Sequence, residues 1–346
     1  MGTFGNLLWR PRNVYNSPRE WAQATHEEFA LQPLNPSTGL PPDREWLLQL
    51  AGGKVIGDAR LVASRKDTVI GQLQSLQGID NPAEHWTVRQ KRLRWTVQLP
   101  GISYLMGVGA GENYYHWLFE CLPRLEYLVR SGRSIDSIDQ FLINEASSPF
   151  HLQTLDRLRI PPAKRLHCSK RRVLECETLL VPPMPLLSPG QVAPWVCAFL
   201  RKSFLPAGPA KERGGRLYLS RRGSPKRRLA NEAEVESLFH AHGFKSVRLE
   251  ALSFHEQVET FARAEFVAGP HGAGFANLVF APAGTRVIEL FHPKHHIKLY
   301  EDLATICEMR YQSVFGTAPN EPSPAMSEKL GPYTVELDQV KKLLDQ

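Results

Sequence analysis

From Arg216 onward the chain alternates between two hydrophobic rhythms. Short apolar runs (RLYLSR, KSVRLE, EFVAG, TRVIELF and RYQSVF) read as strands. Between them, NEAEVESLFHAHG, SFHEQVETFARA, AGFANLVFA and IKLYEDLATICEM read as helices. Asn231 opens the first of these and Gly243 closes it. Ser253, with Glu256 three residues on, forms a capping box for the second. Strict strand–helix alternation predicts a parallel sheet wrapped by helices, a Rossmann-like domain. The last stretch, YTVELDQVKKLLDQ, predicts a terminal helix.

The first half is less regular. Residues 1–45, rich in Pro, Asn and Arg, predict an irregular arm with one short helix around SPREWAQATHEEF. From Gly52 to Tyr104 the pattern alternates, which predicts short strands joined by turns. GENYYHWLFECLPRLEYLVRSG predicts a helix capped by Asn113, with Leu118, Leu122, Leu125 and Val129 on one apolar face and a kink at Pro123. QFLIN and RRVLECETLLVPP read as strands and SPFHLQTLDRLRI as a helix. Pro/Gly-rich punctuation over residues 182–214 surrounds a helix, VAPWVCAFLRKSF, and places the domain boundary at residues 205–214. The expected division is an arm (1–45), an N-terminal α/β domain on the acceptor side (46–205), a C-terminal Rossmann-like domain (206–330) and a terminal helix (331–346).

Composition narrows the classes. With 346 residues, 42% hydrophobic and 22% charged, the chain is an ordinary globular protein, neither disordered nor fibrous. A net charge of +7 fits an anionic partner, or only a solvated basic surface. The five cysteines are far apart with no C-x-x-C, against a zinc ribbon or a thioredoxin-type motif, and their odd number fits reduced thiols in a cytoplasm. No signal peptide, myristoylation pattern or apolar run of roughly 18–20 residues is recognised. A cytoplasmic protein is expected, peripheral at the inner face of a membrane if it contacts one.

Ligands of open α/β sheets bind at the carboxyl ends of the strands. Three such ends carry chemistry. After RLYLS come Arg221, Arg222 and Lys226, whose guanidinium forks and ammonium suit phosphate oxygens, or which form only a solvated basic loop. After EFVA comes GPHGAG, where Gly272, Ala273 and Gly274 let backbone approach a ligand and open a helix whose N–H groups face it. His271 there fits a phosphate, a sugar hydroxyl or leaving-group charge, or a structural role, and Asn277 lies one turn on, placed to bond back to the loop. Glu289 ends TRVIE, suited either to ribose hydroxyls or to capping the next element. In the first half, His116, Glu120 and Arg124 follow at i, i+4 and i+8, and a His with a carboxylate four residues on fits a general-base pair, or only a surface salt-bridge face. Tyr115 and Trp117 beside them read as sugar-stacking platforms or as core. There is no Walker A, no G-x-G-x-x-G, no G-x-S-x-G and no Asp-x-Asp, and His292, His295 and His296 lack an evident carboxylate partner for a metal.

In order along the chain, NYYHWLFECLPRL, RRLANEAEVESLFHAHGF, LSFHEQVETFARAEFVAGPHGAGFANLVFAPAGTRVIELF and YEDLATICEMRYQ resemble glycosyltransferase family 61, the DUF563 group. The resemblance covers residues 105–315, is densest from Arg216 to Leu290, and leaves the first 100 residues unmatched. It implies an α/β GT-B architecture, two Rossmann-like domains facing a central cleft, with the donor held by the C-terminal one. It implies inverting, metal-independent transfer from a nucleotide-sugar donor to a glycan or lipid-linked glycan acceptor, with no cofactor, in surface or capsular polysaccharide biosynthesis. The family's His-Gly-Ala-Gly falls on His271 to Gly274 and its His-Trp on His116 and Trp117. The expected roles are catalysis for His116 and Glu120, donor binding for Arg221, Arg222, Lys226, His271–Gly274, Asn277 and Glu289, and acceptor contact for Tyr115, Trp117 and Arg124. A non-catalytic glycan-binding protein on the same scaffold is the alternative. Nucleic-acid binding is disfavoured because the basic runs interleave only one aromatic, Tyr218.

Overall fold

The computed structural model describes residues 13–15, 29–34, 46–58, 61–70, 95–169, 172–186, 190–207, 214–223, 227–318 and 330–346. The expected arm helix at SPREWAQATHEEF and the donor-side Lys226 fall outside these residues. The chain forms two compact units, residues 1–189 with 193–199, and residues 190–192 with 200–346.

The first unit is built on a ten-stranded mixed sheet among the described residues. Its strands are β1 (Asn13–Tyr15), β2 (Phe29–Pro33), β3 (Trp46–Ala51), β4 (Lys54–Ile56), β5 (Leu61–Ala63), β6 (Thr68–Ile70), β7 (Trp95–Leu105), β8 (Gln140–Ile143), β9 (Arg165–His167) and β10 (Arg172–Val181). Only β10, β7, β8 and β9 form a continuous parallel run, and β3 and β4 join β10 antiparallel. This unit is therefore mixed, unlike the wholly parallel second unit. The arm is not irregular throughout: β2 pairs antiparallel with β3 from Phe29↔Leu50 to Pro33↔Trp46. Strand pairing uses backbone groups, so a five-residue partner needs no legible hydrophobic period. Leu48, Leu50, Val55, Leu105, Leu142, Leu174 and Leu179 form the core around β10, each burial worth about 1.5–3 kcal/mol.

One helical path in this unit departs from expectation. Asn113 caps it as predicted, its Oδ1 accepting from Tyr115 N–H at 2.9 Å. After a single α-turn at Tyr114–His116 the chain adopts a π-turn, Trp117–Cys121, before α1 (Arg124–Arg130). Leu122 N–H donates to Trp117 O at 3.0 Å, a step of five residues instead of four. Pro123 has no N–H to continue the α-ladder, and it caps α1. The extra residue in the turn shifts everything after it around the helix axis.

The second unit holds a five-stranded, all-parallel sheet of β11 (Gly215–Leu219), β12 (Lys245–Val247), β13 (Ala264–Pro270), β14 (Arg286–Phe291) and β15 (Arg310–Phe315). The order is β12-β11-β13-β14-β15. The first crossover runs one way from β11 and the later ones run the other way, so a topological switch point lies between β11 and β13. α2 (Pro149–Arg157) belongs to the first unit, and α3 (Pro194–Phe204) spans the residues where the two units divide. The second unit adds α4 (Glu232–Ala241), α5 (Phe254–Ala262), α6 (Leu299–Ile306) and α7 (Leu337–Leu344), each where the helical rhythm predicts it. Tyr218, Val235, Phe239, Phe266, Ile288, Leu290 and Val340 bury one sheet face against α4 and α7. Period two then turns Val287, Glu289 and Phe291 to the other face. Ser253 and Glu256 make the predicted capping box, whereas Asn231 spends its side chain on Val335 and does not cap α4. Among the described residues no helix is long and apolar enough to cross a membrane, and all five cysteines are buried and unbridged.

His151 in α2 tests the packing of the first unit. Its ring is fully enclosed and edge-on to Trp117, centroids 4.6 Å apart, and its Nδ1 accepts from Ser148 N–H at 3.2 Å. Burial pushes its pKa down from 6.5 to about 4. The unfolded chain therefore binds the proton first, and stability is complete above about pH 6.5 and is lost as pH falls towards 4. Urea titrations at pH 7 and pH 4.5 should show a loss of stability to which His151 contributes up to about 3 kcal/mol, and His151→Asn should lose correspondingly less.

Candidate functional site

A cavity of about 390 Å³ opens at the switch point of the second unit. Its wall comes from three strand ends: Leu219 to Gly223 after β11, Arg248 to Glu250 after β12, and Pro270 with Gly272 to Phe275 after β13. The β13 loop leads into a 3-10 helix, Ala273–Phe280. Arg201 holds the far end of that helix, donating to Val279 O and Ala281 O at 2.6 Å each.

The loop's glycines answer two different needs. Gly269 has φ +154°, and a Cβ there would stand 2.7 Å from Leu219 O, so both backbone and space require glycine. Gly272 is extended at φ 176°, open to any residue by conformation. There the constraint is space alone, because a Cβ would collide with Arg221 Nη1. Arg221 lies along this bare backbone and donates to His271 O at 2.9 Å. Burial lowers the pKa of its guanidinium from the ordinary value. Its own backbone N–H, with Ser220 Oγ, is held by Glu232 Oε1 at 2.7 and 3.2 Å. Arg222 also lines the cavity, half exposed and paired with Glu236 at 2.7 Å.

Of His271, Asn277 and Glu289, Asn277 bonds back to the loop as the sequence suggests, and His271 takes the structural alternative. None of the three is among the cavity-lining residues. The His271 ring stacks on Phe291 and meets His295 and Tyr300, centroids 4.9, 5.1 and 5.6 Å away. Its Nδ1 meets Glu289 Oε1 at 2.5 Å, and Glu289 Oε2 accepts from Tyr311 O–H at 2.6 Å. Glu289 has no exposed surface, so it neither caps the next element nor faces a ribose. Burial first, then Glu289, raises the Tyr311 pKa, keeping the phenol a donor. Burial and the nearby Arg227 push His295 down to about 4, so it stays neutral beside His271. Asn277 is likewise enclosed, its amide donating to Gln257 Oε1 at 3.0 Å and Gly274 O at 3.2 Å, which fixes the loop from behind.

In the first unit His116 Nδ1 and Glu120 Oε1 are 2.7 Å apart. His116 keeps about a quarter of its side chain exposed, and Glu120 is buried with Oε2 lacking a hydrogen-bond partner. The predicted neighbours do not share this face. Arg124 is enclosed, giving Nη1 to Gly107 O and Nη2 to Pro182 O at 2.7 Å, because the π-turn and Pro123 rotate it inward. Trp117 is fully buried, its indole N–H on Thr154 Oγ1 at 2.9 Å, with no face left for a sugar. Tyr115 packs at 5% exposure against His116 and Phe119. Asn144, at the end of β8, steadies the preceding loop through Val108 N and O at 3.0 and 2.7 Å.

Residues 114–288, just over half of the chain, match the family Glycosyltransferase 61. The chain belongs to glycosyltransferase family 61. The stretch that carries the family match includes His116, Glu120, Arg221, Glu250 and the whole 269–275 loop, and stops one residue before Glu289. The chain is also similar to the EGF domain-specific O-linked N-acetylglucosamine transferase of Drosophila melanogaster, 29% identical over 117 residues. That alignment spans 33% of this chain and 22% of the fly protein. Family membership supports glycosyl transfer as the general chemistry. Among the described residues of this family 61 chain, no three His, Cys, Asp or Glu side chains group as a metal site.

Sequence reasoning passes over Tyr311, Gln257, Glu232 and the Arg248–Glu250 pair. The signal for Tyr311 is its register, for it sits one strand from Glu289, with Glu289 opposite Ser313. Removing the Glu289 carboxylate leaves buried His271 and half-buried Tyr311 without their partner, each costing about 1–3 kcal/mol. Glu289→Ala should therefore lower unfolding stability by at least about 2 kcal/mol, and Tyr311→Phe by about 1 kcal/mol. In the double variant the Tyr311 effect should vanish, a coupling that chemical denaturation of all four proteins reads directly.

Proposed function

We propose that the protein is an inverting, metal-independent glycosyltransferase that uses a nucleotide-sugar donor. The observation that carries the reading is the switch-point cavity of a family 61 chain, lined by Arg221, Arg222 and Arg248 and by the backbone that opens a helix at Ala273. First-turn N–H groups lack intrahelical partners and attract anions. A diphosphate fits such a wall, with the second unit holding the donor and the first serving the acceptor. The GT-B arrangement, a glycan or lipid-linked glycan acceptor, a role in surface or capsular polysaccharide assembly, and a site of action at the cytoplasmic face of a membrane belong to the same proposal.

In this mechanism the acceptor hydroxyl attacks the anomeric carbon on the face opposite the leaving group. Its proton passes to His116. Because Nδ1 is held by Glu120, the accepting nitrogen is Nε2, and the buried carboxylate supports the imidazolium that results. The bond from the anomeric carbon to the diphosphate oxygen breaks, and the electron pair leaves on the nucleoside diphosphate. Arg221, Arg222 and the loop amides meet that charge. What the fly relative's name states, transfer of N-acetylglucosamine to EGF domains, is a precedent for the type of reaction.

Two measurements test this. In a thermal-shift screen against UDP, GDP, CMP, ADP and their sugar conjugates, one nucleotide family at about a hundredfold over its Kd should raise the melting temperature by about 5–10 °C, with or without EDTA. No shift with any nucleotide would favour a glycan-binding protein, and a shift abolished by EDTA would refute metal independence. His116→Ala should cut turnover about a hundredfold or more while donor affinity stays within about threefold. A collapse of donor affinity in a folded variant would make His116 a donor-binding residue instead.

A further inference from the structure

The cavity contains one carboxylate among its cations, and nothing in the phosphate chemistry uses it. Glu250 follows the end of β12 in a single 3-10 turn, Leu249–Ala251. It lines the cavity opposite the loop at Gly272 to Gly274, and its charge acts on the buried Arg221. Its own partner is Arg248, whose Nε donates to Glu250 Oε1 at 3.1 Å, and both side chains are more than half exposed. Arg248 occupies one side of the carboxylate, and a ligand whose phosphates sit on Arg221 and Arg222 would meet the rest of it with a group that donates. Adjacent hydroxyls of a ribose donate two O–H bonds, one to each carboxylate oxygen. Leu219, Leu249 and Phe275 contribute apolar edges to the same cavity. β12 is the strand next to β11 on the side away from the switch point, the place from which dinucleotide-binding sheets present an acid to a ribose.

The geometry points to Glu250 as the ribose-reading carboxylate of the cavity, with Arg248 as the residue that orients it. Glu289, the sequence's candidate for this part, is sealed beneath the loop and already holds two partners. The inference rests on the proposed nucleotide site and adds which residue distinguishes a ribonucleotide from other diphosphates.

The test uses the full chain and its Glu250→Ala variant, titrated calorimetrically with UDP, GDP, ADP and CDP and with the 2′-deoxy form of whichever binds. The Glu250 side chain is exposed, so the variant should melt with the unmodified protein. The unmodified protein should prefer the ribonucleotide about tenfold, as expected for a hydrogen bond to a charged group. Glu250→Ala should bind both forms alike, at the affinity the unmodified protein has for the deoxy form. Arg248→Ala should keep the preference but reduce it. Retained preference in Glu250→Ala, or no preference in the unmodified protein, overturns the assignment and leaves the nucleotide site standing. An equal change in affinity for both forms, with the preference unchanged, shows Glu250 acting only through charge and also overturns it. If none of the four diphosphates binds the unmodified protein, the nucleotide site itself is wrong and the assignment fails with it.

Discussion

The second unit depends on a carboxylate that never meets water. Glu289 sits in β14 with strands on both sides, and burying an ionisable group there is tolerable only if both oxygens are engaged. One oxygen reaches His271 beyond β13 and the other reaches Tyr311 in β15, so three adjacent strands are tied at one level. His271 is further pinned by its own N–H on Leu290 O at 2.9 Å. With His271 fixed, its carbonyl becomes a fixed seat for Arg221, and the arginine in turn sets one wall of the cavity. The shape of the cavity thus follows from hydrogen bonds made below its surface.

Among the described residues two His–Glu pairs have nearly the same chemistry, and burial separates them. Around His271 every side of the ring is occupied by Phe291, His295, Tyr300 or Glu289. That pair is a strut. At His116 the carboxylate is inside and the imidazole reaches solvent, the arrangement that the proposed base requires. The π-turn helps make this division. It leaves His116 and Glu120 in contact while turning Arg124 into the interior, where the guanidinium binds two carbonyls.

Much of the second unit is legible in the sequence because parallel sheets alternate with helices and each element carries its own period. The glycine loop after β13 is legible for the same reason, as a strand end that must bend. What stays hidden depends on register. His271, Glu289 and Tyr311 are far apart along the chain, and only the pairing of β13, β14 and β15 brings them together. The reading of KSVRLE as one strand concealed Glu250, since β12 ends at Val247 and the acid lies in the turn beyond. In the first unit a helical wheel with a constant period put Arg124 beside Glu120, and the local change of period removes it. The aromatics around His116 fit either a platform or a core by sequence, and Thr154 and His151 take Trp117 for the core.

The bare backbone at Gly272 has a consequence for how this sequence can drift. Its dihedral angles suit any amino acid, so a survey of backbone conformation would mark the position as permissive. The space a side chain needs is held by a guanidinium attached 51 residues earlier in the chain, at Arg221. A side chain at 272 would have to push that guanidinium aside, off the His271 carbonyl it binds, so a change at one position is felt at the other.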